Sequence, residues 1–98
     1  MTQPTALENR IATQLALIEQ LMNAQQWAQA SQTALAALDE LGKAYAQPGV
    51  LDHTGTKLVA AVAMEREGRF EDAVRLRHAI LQTRLELLRK KQVQAGQP

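Results

Sequence analysis

Apolar side chains recur at steps of three and four along nearly the whole chain, and the recurrence breaks in only three places. Leu7, Ile11, Leu15, Ile18 and Met22 make the first series. Trp27, Ala30, Ala34, Leu38, Leu41 and Tyr45 make the second. That spacing gathers residues on one face of a helix and scatters them over both faces of a strand. Residue type agrees with spacing. The apolar positions are mostly Ala and Leu, aromatics are 3% of the chain, and the β-branched residues that favour strands are sparse.

The breaks divide the chain into four predicted helices, 5–24, 27–46, 56–67 and 70–92. Thr5 and Glu8 have capping-box spacing at the first start. Asn23 to Gln26 is a polar pause, short enough for an antiparallel hairpin. Pro48-Gly49 stops the second helix, and Asp52, Thr54 and Thr56 are alternative caps for the third. Leu58, Val59, Val62 and Ala63 give the third helix its apolar residues, and Gly68 ends it. A long fourth helix follows, then a polar tail at 93–98 that is expected to be disordered. The expectation is one all-α domain over 1–98, built as two antiparallel hairpins with a long C-terminal helix.

The chain has 98 residues and no cysteine, which rules out disulfides, thiolate zinc sites and a Cys nucleophile. No stretch approaches the roughly 20 apolar residues that span a bilayer, and Met1 to Pro4 does not resemble a signal peptide. A cytoplasmic protein without membrane contact is expected. His53 and His78 are the only histidines, and they share no ligand spacing. His53 reads as a solvated loop residue beside Asp52, and His78 as surface or packing. No Gly-rich phosphate loop occurs, so neither an enzyme nor a cofactor or metal site is expected.

Nine of the eleven Lys and Arg residues lie after residue 50. Arg77, Arg84 and Lys91 are spaced by sevens, a stripe about 20 Å long on the fourth helix. Glu71 with Arg75 and Glu86 with Lys90 have the spacing of helix-stabilising ion pairs. Val74, Leu81, Leu85 and Leu88 exceed what a short third helix can cover, which marks them as a face for another chain. That chain is a client helix or a second copy, the latter giving a homodimer.

The two halves superpose at an offset of 43 residues, Trp27 on Phe70, Ala30 on Ala73, Leu38 on Leu81 and Leu15 on Leu58. Around Glu67-Gly68-Arg69-Phe70-Glu71-Asp72-Ala73-Val74 the chain resembles the turn of tetratricopeptide (TPR) hairpins, with a Gly, an aromatic two on and an Ala three further. It departs from that pattern at Gln25, which stands where the Gly would, and at Arg77, which stands where an aromatic is common. Leu17 to Leu41, with Trp27 just after the turn, and Leu76 to Leu88 are also similar to the small flagellar and type III secretion export chaperones of the FliT type. That resemblance implies four helices that bind a secreted partner's helical segment in a groove. The function expected is a helical protein–protein interaction module, a chaperone or adaptor. The alternative is a small regulator that binds nucleic acid or transcription machinery through the basic stripe.

Overall fold

The computed structural model describes residues 6–45 and 55–95, with side chains described over 6–41 and 56–90. It is all-α. The helices are α1 (Ala6–Asn23), α2 (Trp27–Tyr45), α3 (Gly55–Arg66) and α4 (Phe70–Ala95), and no strand occurs among the described residues. Their bounds match the apolar periodicity to within a residue, except that α4 runs on to Ala95. Thr5, Pro48-Gly49, Asp52, Thr54 and the tail beyond Ala95 lie outside the described residues.

The 43-residue offset reappears as repeated backbone hydrogen bonding at the two turns. Gln25 N–H donates to the Met22 carbonyl at 3.0 Å and Gln26 N–H to Leu21 at 2.9 Å. At the second turn Gly68 N–H donates to Glu65 at 3.0 Å and Arg69 N–H to Met64 at 2.8 Å. Both are Schellman caps, which satisfy the last carbonyls of a helix and need a left-handed residue just past its end. Gln25 takes that position at φ 59° and Gly68 at φ 79°. The following residue starts the next helix, because the Gln26 and Arg69 carbonyls accept the Ala30 and Ala73 N–H groups at 3.0 and 3.1 Å.

The turns fold α1 onto α2 and α3 onto α4, and the two hairpins meet along α2 and α4. Small residues make that seam close: Ala30, Ala34, Ala37 and Ala73 are fully buried. Ile11, Leu15 and Ile18 of α1 close the core from one side, and Val74, Ile80, Leu81 and Leu85 enter it from α4. α4 packs against all three other helices, whereas α3 packs closely along α4 and reaches α2 through the Ser31–Glu65 side-chain hydrogen bond.

This arrangement corrects the reading of Val74, Leu81 and Leu85 as an uncovered face. All three are core residues, and Leu88 is half-buried against them. The sequence argument counted only α3 as cover for α4, but α1 and α2 cover it as well.

Candidate interaction surface

Arg77 is also corrected. It is 1% exposed and sits where α2, α3 and α4 meet. Its guanidinium donates to the Ser31 carbonyl at 3.2 Å and to the Ser31 hydroxyl at 2.8 Å. It also forks onto Glu65, Nη1 to Oε2 at 2.5 Å and Nη2 to Oε1 at 3.2 Å. The Ser31 hydroxyl in turn donates to Glu65 Oε2 at 2.5 Å. A planar, permanently charged fork suits such a site, because it spreads one charge over several acceptors. The Glu65 carboxyl is held below its usual range chiefly by the Arg77 hydrogen bonds, with desolvation opposing and the Ser31 bond and Arg77 charge assisting.

The basic stripe on α4 is therefore not a stripe of solvent-facing cations. Arg77 is inside and neutralised, and Arg84 is half-buried and engaged. Lys91 lies within α4, but its side chain is outside the described residues. Arg75 pairs with Glu71 at 3.4 Å and stands 5.9 Å over the Trp27 ring, whereas Glu86 and Lys90 form no ion pair with each other. His78 is bonded through Nε2 to Glu19 Oε1 at 2.9 Å, which ties α4 to α1. His53 lies outside the described residues.

Ser31 and Glu65 went unnoticed in the sequence because neither breaks a pattern alone. The available signal was the repeat: Arg77 stands 43 residues after Ala34, a charged residue at an apolar position.

Two concave surfaces bear on binding. One, of about 700 Å³, lies between the two turns, with Trp27 and Phe70 at its sides. Arg69 on its edge is already paired with Asp72 at 3.0 Å and Glu67 at 3.4 Å. The other, of about 310 Å³, lies between α2 and α3 and is lined by Gln32, Val62, Glu65, Arg66 and Phe70. Val62 on its lining is 38% exposed, and elsewhere on the same two helices Leu35 is 39% and Val59 71% exposed. Leu17 on α1 is the remaining exposed one among the described residues.

No three His, Asp or Glu side chains converge as metal ligands among the described residues, and no described helix is long and apolar enough to cross a membrane. Comparison with protein-family models, with curated proteins and with solved structures finds no match for this chain.

Proposed function

We propose that this chain is a small helical protein–protein interaction module, an adaptor or chaperone that holds a helix of another protein. The observation that carries the reading is the state of α3. Its middle, Leu58 to Met64, is an unbroken apolar run, yet it packs closely along α4 alone and leaves Val59 and Val62 in water. A helix apolar all round is stable when covered all round, and contiguous exposed apolar surface marks interaction sites. The resemblance to export chaperones makes a secreted protein's helical segment the narrower form of the proposal. Two divergent TPR-like hairpins are its structural form, and the cytoplasm its place of action.

A reading through nucleic acid draws no support from α4, since Arg77 and Arg75 are already paired. The two readings separate by salt. Phosphate contacts release counterions, so nucleic-acid affinity falls steeply as salt rises, whereas apolar docking changes little. The purified chain is assayed against a random-sequence DNA duplex, a single-stranded RNA and a panel of amphipathic helical peptides, each at low and high salt. Peptide binding that persists at high salt is expected. Salt-steep binding to either nucleic acid, with no peptide binding, overturns the proposal.

A further inference from the structure

The 43-residue relation makes α3 the counterpart of α1, and the two helices are anchored by different residues. Ile18 of α1 corresponds to Ala61, and Met22 to Glu65. Ile18 is fully buried in the core, and Met22 packs against it. α3 therefore places a methyl group and a carboxylate where α1 places two large apolar side chains. Leu58, which corresponds to Leu15, keeps its size.

The core follows that difference. Its buried residues all come from α1, α2 and α4, and Leu58 is the one α3 side chain packed against it. Ala61 is the only buried residue among the described residues of α3. α1 packs on both α2 and α4, whereas α3 packs along α4 and reaches α2 through the Ser31–Glu65 hydrogen bond.

What α3 lacks in apolar anchorage is supplied by a polar one. Glu65 receives both arms of the Arg77 guanidinium, at 2.5 and 3.2 Å, together with the Ser31 hydroxyl. Arg77 has a second set of bonds that does not involve α3, from Nη1 to the Ser31 carbonyl and hydroxyl. Those bonds join α2 to α4, two helices that share the core. If α3 leaves, the Glu65 bonds break, the Ser31 bonds remain, and water takes the place of the carboxylate on Arg77. A solvated guanidinium costs far less than one left buried without its partner.

We propose that α3 is a detachable strap on a three-helix core, latched by Glu65 on Arg77, and that it opens as a unit while α1, α2 and α4 stay packed. Closed, the strap buries a cation; open, it presents that cation on α4. A helix of 12 residues is marginal in water on its own, so α3 loses its helical hydrogen bonds as it leaves. The opening is a local unfolding with a free energy below that of the whole chain.

The test is native-state hydrogen exchange on the full chain, read residue by residue by NMR at several urea concentrations below the unfolding midpoint. The amides of Val59 to Arg66 are expected to share one opening free energy, smaller than that of Ile18, Leu38 and Leu81. It is expected to depend little on urea, because opening the strap exposes little surface. Ile11→Val, a change in the core on α1, is expected to speed exchange at those three core amides about two- to tenfold and leave α3 unchanged. Glu65→Gln is expected to speed exchange in α3 about tenfold or more, with circular dichroism confirming that the variant is folded. Amides of α3 that match the core in free energy and urea slope overturn the strap. A graded rise in protection from the ends of α3 inward, with no shared value, overturns it as well. Local opening that is indifferent to Glu65→Gln overturns Glu65 as the latch.

Discussion

Gln25 and Gly68 hold the same left-handed backbone conformation at equivalent turns, although only one of them is the residue for which that conformation is free of steric cost. The two turns share the same pair of capping hydrogen bonds, so the residue at the left-handed position is the chief difference between them.

Replacing Gln25 with Gly is expected to stabilise the fold by about 0.5–1 kcal/mol, the relieved strain less the extra freedom of the unfolded chain. Gly68→Ala is expected to cost about 1 kcal/mol. A Cβ at Gly68 would meet nothing within 4 Å, so no steric clash adds to that cost. Urea unfolding reads both, as shifts in midpoint at constant slope.

Glu65→Ala leaves the Arg77 guanidinium buried beside Ser31 with no counter-charge, and about 3 kcal/mol of destabilisation is expected. Removing the whole network at once (Ser31→Ala with Glu65→Leu and Arg77→Met) is expected to recover most of that loss, because no charge then remains to desolvate. A triple variant no more stable than Glu65→Ala would contradict this account.

The pH dependence has a definite sign. The Glu65 carboxyl titrates below its ordinary value of 4.5 in the folded chain, so the unfolded chain takes up that proton first as pH falls. The stabilisation is complete above about 4.5 and is lost as pH drops below it through the folded value. Stability followed by urea from neutral to acid pH is expected to fall in that range, and the fall is expected to be shallower in Glu65→Gln.

Leu81 and Val59 mark the extremes of burial. Leu81→Ala is expected to cost about 2–5 kcal/mol through lost burial and the cavity left behind. Val59→Ala is expected to stay within about 0.5 kcal/mol. A large loss at Val59 would show that α3's outer side is covered within the monomer.

The helices and turns were legible because their causes are local. The apolar steps from Leu7 to Met22 and from Trp27 to Tyr45 locate α1 and α2, and Gly68 locates a turn that its own φ requires. Arg77 was misread because its causes are distant. Ser31 is 46 residues away and Glu65 is 12, and periodicity counts an Arg as polar wherever it lies. Leu85 was misread for a related reason: the face of α4 looked too wide only while α3 was its sole cover. The apolar residues Val59 and Val62 of α3 were visible, but that they face water depended on α3 lying along α4 rather than along α2.

The 46-residue span from Ser31 to Arg77 has a kinetic meaning. Each turn joins its two helices over a few residues, so either hairpin closes at little entropic cost, whereas the seam must bring together the ends of a long loop. Early structure is therefore expected to be local to the hairpins, with the barrier in their docking along α2 and α4. Desolvating the guanidinium belongs to that docking step, which makes the polar cluster a late check on alignment: a seam out of register would bury Arg77 against nothing.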